Sequence, residues 1–81
     1  MIRRRMKLTF PTKLITEPVI YTLGKKFAVI TNIRRANVEE KWGWVVLELD
    51  AEKEEEINAA LEWLAKQGVR VELITGDVVE G

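Results

Sequence analysis

Large apolar residues recur at every second position in two stretches of the chain, residues 3–10 and residues 43–50. A period of two predicts strands that bury one face and leave the other face accessible. A shorter alternation at residues 69–73 predicts a further strand near the end of the chain. The residues predicted to face the core in the two longer strands are Met6, Leu8, Phe10, Val45, Leu47 and Leu49.

Two other stretches have the spacing of helices. Val19, Leu23 and Phe27 recur at every fourth position, which predicts a helix that follows Thr16 as its N-cap. A second helix is predicted between Asp50, as its N-cap, and Gly68, as the left-handed residue after its last turn. Helices this short are unstable alone, so both should pack on a sheet. The apolar stripe of the second helix consists of Ile57, Ala60, Leu61, Leu64 and Ala65.

The stretch of residues 28–40 predicts a second strand with an irregularity. Strict alternation would place Ile33 on one face of this strand and Val38 on the other. Because both residues cannot then reach one core, we predict a bulge or a change of register near Asn32. A tight turn joins this strand to the next one, with Gly43 supplying a permissive backbone.

The order strand–helix–strand–strand–helix–strand predicts an α+β fold, the ferredoxin-like β-α-β-β-α-β sandwich. In this fold a four-stranded antiparallel sheet carries both helices on one face. We expect residues 1–81 to form a single domain, with residues 75–81 as a frayed tail. The other face of the sheet has no cover from the chain. Trp44 and Val46 should lie there in an exposed apolar patch, which predicts an interface.

The sequence contains no cysteine, histidine or serine. Disulfides, zinc–thiolate sites, and the usual nucleophiles and general bases of hydrolases and transferases are therefore excluded. We expect no enzymatic activity, no cofactor and no metal site. No stretch has the pattern of a signal peptide or a transmembrane helix, so the expected location is the cytoplasm.

Charge is distributed unevenly along the chain. Residues 1–41 contain ten Lys and Arg but three Asp and Glu, whereas residues 42–81 contain three and ten. The fold either interleaves the two halves and neutralises them, which we favour, or forms a dipolar domain that docks against a charged partner. The basic segment Arg3–Arg5 and the aromatic residues Trp42 and Trp44 keep nucleic-acid binding as an alternative. It is disfavoured because the middle of the first strand, Met6–Leu8, lacks an aromatic residue for base stacking.

The segment Thr31–Val38 resembles the second strand of the NIL domain family, which is named for an Asn-Ile-Leu motif. Asn32 and Ile33 match the first two letters, and Arg34 stands where leucine gives the family its name. Further resemblances follow in family order at residues 8–11, 17–20, 43–49, 60–64 and 68–72.

The resemblance implies a ferredoxin-like fold related to the amino-acid-sensing ACT domains. Domains of the family occur at the C-terminus of methionine ABC importer ATPases, where they bind methionine and restrain transport. They also occur fused to ferredoxins and as lone domains, and this chain is similar to the lone form.

The function implied is that of a small regulatory domain that senses methionine or a related sulfur amino acid at a homodimer interface. The ligand carboxylate would be held by Asn32, Arg34 or backbone amides, and Ile33, Val46 or Phe10 would line a pocket for the apolar side chain. The alternative is a protein–protein interaction module that acts in trans with a sulfur amino-acid metabolic protein or a transporter. The expected ligand-binding residues are Asn32, Ile33, Arg34 and Asn37, and the expected interface residues are Trp44 and Val46.

Overall fold

Six elements follow one another in the order that the hydrophobic pattern predicts. The computed structural model describes residues 1–11, 18–39 and 41–74. Neighbouring strands are antiparallel, and the strand order in the sheet is β2-β3-β1-β4. The predicted α+β, ferredoxin-like fold is therefore confirmed. The elements are β1 (Ile2–Phe10), α1 (Val19–Lys26), β2 (Ile30–Val38), β3 (Gly43–Ala51), α2 (Glu54–Gln67) and β4 (Arg70–Ile74).

The core lies between the two helices and one face of the sheet. Met6, Leu8 and Phe10 of β1 and the odd-numbered residues of β3 are buried there, as their alternation predicts. The predicted helical stripe of α2 is buried except at Ala65, which is exposed, and Leu61, which is half-buried. Trp63 packs edge-on against Phe27, with 6.1 Å between the ring centroids. The helices contribute the buried residues Val19, Leu23, Ile57, Ala60 and Leu64 to this core.

The ends of α2 match the sequence pattern at one terminus and not at the other. Gly68 has a φ of 97°, and its N–H bonds to the carbonyl of Ala65, so the predicted left-handed C-terminus is confirmed. The prediction that Asp50 caps the N-terminus is wrong, because β3 continues to Ala51 and Lys53 occupies the cap position. The predicted N-cap of α1 and the predicted frayed tail lie outside the described residues.

Strand β2 contains the predicted irregularity. Ile33 pairs with Leu47 of β3 and Arg35 pairs with Val46, so Arg34 is an extra residue in the ladder. Such a bulge changes which residues share a face after it. Here it brings Val38 to the same face as Ile33, the face that carries the helices.

Gly43 is required by a close approach rather than by an unusual backbone angle. It pairs with Val38 on one side and Phe10 on the other. A Cβ atom at Gly43 would lie 3.3 Å from the Asn37 carbonyl oxygen and 3.3 Å from the Val38 Cα. Among the described residues the glycine with positive φ is Gly68, so the prediction of a permissive backbone at Gly43 is wrong.

Candidate functional site

The face of the sheet opposite the helices, which we term the open face, is ordered in four rows across the strands. The register places together, strand by strand, the residues that alternate away from the core. We name each row after its residue in β3. The Asp50 row holds Ile30 and Arg3, the Glu48 row Asn32, Arg5 and Ile74, the Val46 row Arg35, Lys7 and Glu72, and the Trp44 row Asn37, Thr9 and Arg70.

Ion pairs fill the first two rows. Arg3 donates to both oxygens of Asp50, from Nε at 2.8 Å and from Nη2 at 3.1 Å. Arg5 donates from Nε, at 2.9 Å, and from Nη2 to a single oxygen of Glu48, Oε2. The other Glu48 oxygen lies 3.9 Å from the Arg3 Nε atom. These contacts cover Glu48, which is 5% exposed although no helix lies over it.

The same contacts shift the acid–base equilibria of the carboxylates. The hydrogen bond from Arg5 lowers the pKa of Glu48, and the charges of Arg5, Arg3 and Arg34 add to this against the opposing effect of burial. The hydrogen bond from Arg3 lowers the pKa of Asp50 in the same way. Both carboxylates are therefore held in their ionised form, and each is already bound by an arginine side chain.

The ion pairs also decide how the two oppositely charged halves of the chain meet. Each arginine of the basic segment at the start of β1 contacts an acid from the second half. The favoured interpretation, that the fold interleaves the halves, is thus supported. The pairs are Arg3 with Asp50, Arg4 with Glu54 at 2.9 Å, and Arg5 with Glu48.

The other two rows of the open face are apolar in the middle and cationic at their sides. Trp44 and Val46 are half-buried, and Lys7 Nζ lies 5.4 Å from the centroid of the Trp44 ring. Arg35 is exposed beside Val46 and makes no hydrogen bond or ion pair within the described part of the chain. Asn37, beside Trp44, donates its amide to Glu39 Oε2 at 3.4 Å. This half of the face combines an apolar floor with donors that have few partners.

Comparison with known proteins identifies the family. The sequence model described as the NIL domain matches residues 4–73. The chain belongs to the NIL domain family. Among solved structures, the C-terminal domain of an ABC transporter ATP-binding protein from Enterococcus faecalis is similar, with a TM-score of 0.76 over 91% of this chain and 86% of that chain. The two sequences are 24% identical, so this likeness concerns the fold alone. No curated protein sequence matches the chain.

The residues of the NIL domain motif do not share one face of the sheet. Asn32 lies on the open face, Ile33 lies on the helix-bearing face opposite Leu47, and Arg34 is the bulge residue that follows them. Asn37 joins Asn32 on the open face because of the bulge.

The structure therefore brings together only some of the residues expected to bind a ligand. Asn32, Asn37, Trp44 and Val46 share the open face. Ile33 points to the other side, and Phe10 is buried in the core, so neither can line a pocket with Val46. The site residues predicted from the sequence do not include Arg35, which lies beside Val46 on the open face. Arg35 is identified as a residue of the open face by the position of the bulge, because the bulge sets which later residues of β2 lie on that face.

The open face of this NIL domain differs from a base-stacking sheet. Its β1 residues are Arg3, Arg5, Lys7 and Thr9, and none is aromatic.

In the described residues, no helix is long and apolar enough to cross a membrane. The same residues contain no group of three or more acidic side chains placed to hold a metal ion.

Proposed function

We propose that this NIL domain is a regulatory domain that binds methionine or a closely related thioether amino acid on the open face of its sheet. The observation that carries the proposal is the bulge at Arg34. It places Asn32, Arg35 and Asn37 on the same face as the apolar pair Trp44 and Val46. In a strand that alternated regularly through Arg34, positions 32 and 37 would face opposite sides, because they are an odd number of residues apart.

The chemistry of these side chains matches the two ends of such a ligand. A guanidinium such as that of Arg35 binds a carboxylate through charge-assisted hydrogen bonds, and the amides of Asn32 and Asn37 can add neutral ones. A thioether packs favourably on an aromatic ring, and Trp44 offers one beside Val46. Residues two apart on one face of a strand are about 7 Å apart, which is the scale of an extended amino acid.

A second copy of the chain would complete the site. Small-molecule sites usually bury about 70–90% of a ligand's surface, and a single sheet face covers one side only. We therefore propose a homodimer with the ligand between the open faces. By analogy with the E. faecalis transporter domain, the regulated protein would be an ABC transporter component in the cytoplasm. The domain itself would bind rather than catalyse, because the acids Glu48 and Asp50 of its open face are already bound by arginine.

A protein–protein interaction module is the second candidate, and a different surface favours it. Ile33, Ala36 and Val38 share the helix-bearing face of the edge strand β2, and all three are exposed. Exposed apolar groups on an edge strand are common at sites where another chain adds to a sheet. In that case Val38→Lys should abolish partner binding and leave amino-acid binding unchanged.

Thermal unfolding against a ligand panel tests the main proposal. The panel contains methionine, homocysteine and S-adenosylmethionine, and ligand at about 100 times its Kd should stabilise the fold by about 2.7 kcal/mol. For a domain of this size that corresponds to a rise in Tm of roughly 10–20 °C. Sedimentation with and without the ligand then reports whether binding requires two copies.

Matched tryptophan variants make the test specific. Trp44→Leu should remove the methionine-induced shift, whereas Trp42→Leu, which changes the same residue type in the hairpin loop, should retain it. Asn32→Ala and Asn37→Ala should weaken the shift. If no compound in the panel changes Tm, or if both tryptophan variants behave alike, the proposal of a ligand site on the open face is refuted.

A further inference from the structure

We infer that the open face recognises the carboxylate and the apolar tail of its ligand and makes no ionic contact with the amino group, so that thioether carboxylates without an amine also bind. The inference rests on the proposed function and narrows its ligand class. It follows from which charged groups beside Trp44 and Val46 are already paired and which have no partner.

The cations that flank Val46 are available to an anion. Arg35 lies on one side in β2, and Lys7 lies on the other side in β1. Arg35 makes no ion pair in the described residues, and the described contact of Lys7 is with the Trp44 ring. Strands lie about 4.8 Å apart, so the two cations start about 10 Å apart and both can reach a carboxylate above Val46.

Within one copy of the chain, the acids of the open face are not available to an ammonium group. Asp50 is bound by both ends of the Arg3 guanidinium, and Glu48 is buried under Arg5. Glu72 lies 4.0 Å from Arg70 at the far edge of the sheet. It is two strands away from Val46, above which the carboxylate would lie, or about 10 Å. The nitrogen and the carboxyl carbon of one amino acid are at most about 3 Å apart, and Glu72 is directed to Arg70, so it does not reach the ammonium of a ligand above Val46.

Glu39 is the acid against which the inference must be tested. It follows Asn37 just beyond the end of β2, and its carboxylate turns to the Asn37 amide at 3.4 Å. Four residues of extended chain separate it from Arg35, which is about 13 Å. A single amino acid would bridge the two only if both side chains folded towards each other, and the Glu39 side chain is directed to Asn37 instead.

Three compounds separate the two ends of the ligand. Methionine carries both charged groups, 4-(methylthio)butanoate lacks the amine, and methioninol lacks the carboxylate. Titration calorimetry should give the butanoate a Kd within about threefold of that of methionine. Methioninol should bind at least about tenfold more weakly, the scale of a lost charge-assisted hydrogen bond.

Charge-matched variants connect the effect to residues. Arg35→Gln should raise the Kd values of methionine and of the butanoate alike by at least about tenfold. Lys66→Gln removes the same charge from the exposed end of α2 and should change neither affinity. Glu39→Gln should leave the affinity for methionine unchanged. These substitutions are at exposed positions, so each variant should keep the unfolding temperature of the parent without ligand.

The outcomes separate this inference from the proposed function. If methionine binds but the Kd of the butanoate is more than about threefold higher, or if Glu39→Gln weakens the binding of methionine, the site recognises a zwitterion. The inference is then overturned while the proposed function stands. If neither methionine nor the butanoate binds, the proposed function fails and the inference fails with it.

Discussion

Leu47 and Ile33 form a matched pair that tests the placement of β2. They pair with each other across β3 and β2 on the helix-bearing face, but Leu47 is 0% exposed and Ile33 is 52% exposed. Leu47→Ala removes three buried carbons, worth about 0.8 kcal/mol each, and leaves a cavity, so it should lower the free energy of unfolding by about 3–4 kcal/mol. Ile33→Ala should lower it by only about 1 kcal/mol, because about half of that side chain already contacts water.

Unfolding followed by circular dichroism in urea and on heating measures both values. At about 4–8 °C per kcal/mol, Leu47→Ala should lower Tm by roughly 12–30 °C and Ile33→Ala by roughly 4–8 °C. Each variant is measured over a range of protein concentrations, because self-association makes Tm depend on concentration. Equal losses for the two variants would show that the helix-bearing face of β2 is covered in solution, and the exposed position of Ile33 would be refuted.

Three further outcomes follow from the structure. Gly43→Ala should destabilise the domain by about 1–3 kcal/mol in urea unfolding, because the new Cβ would lie 3.3 Å from backbone atoms. The control is Gly24→Ala in α1, whose Cβ would contact only a side chain, at 3.7 Å. This variant should stabilise the domain by about 0.5–1 kcal/mol. The folded pKa values of Glu48 and Asp50 lie below their ordinary values of 4.5 and 3.8, so the stability that they contribute is present above those values and lost as pH falls through the lower folded values. The urea concentration at the midpoint of unfolding should therefore decrease as the pH is lowered below 4.5. A Glu48→Gln variant whose midpoint depends on pH in the same way would contradict this explanation. Deletion of Arg34 should leave the fold intact, because its two neighbours already pair with consecutive residues of β3. Amide signals in an NMR spectrum that are displaced throughout the sheet of the deletion variant would refute the bulge.

The hydrophobic pattern was sufficient for the fold because the central strands each have a buried face. Met6 and Leu8 of β1, and Leu47 and Leu49 of β3, are fully buried, so their alternation carried a strong signal. Strand β2 lies at the edge of the sheet, and its residues are exposed or half-buried throughout. Its pattern therefore indicated that an irregularity exists but placed it near Asn32 rather than at Arg34.

Long-range pairs explain what the sequence did not reveal. Asp50 has the local features of an N-cap, but its carboxylate binds Arg3, which is 47 residues away in sequence. Glu48 reads as a solvated residue on the outward face of β3, yet Arg5 covers it. Neither pairing can be derived from local spacing, because it depends on which strands become neighbours in the sheet.

The bulge gives a physical account of how arginine can occupy the third position of the family motif. Arg34 is exposed, and as the extra residue of the ladder it has no partner opposite it in β3. The bulge sets which of the residues after it lie on the open face, and that effect depends on the path of the backbone rather than on the side chain at position 34. Asn37 and Arg35 reach the open face in this way. The motif position would then contribute to the site through backbone geometry, and the selection of ligands would lie with the side chains beside Trp44 and Val46.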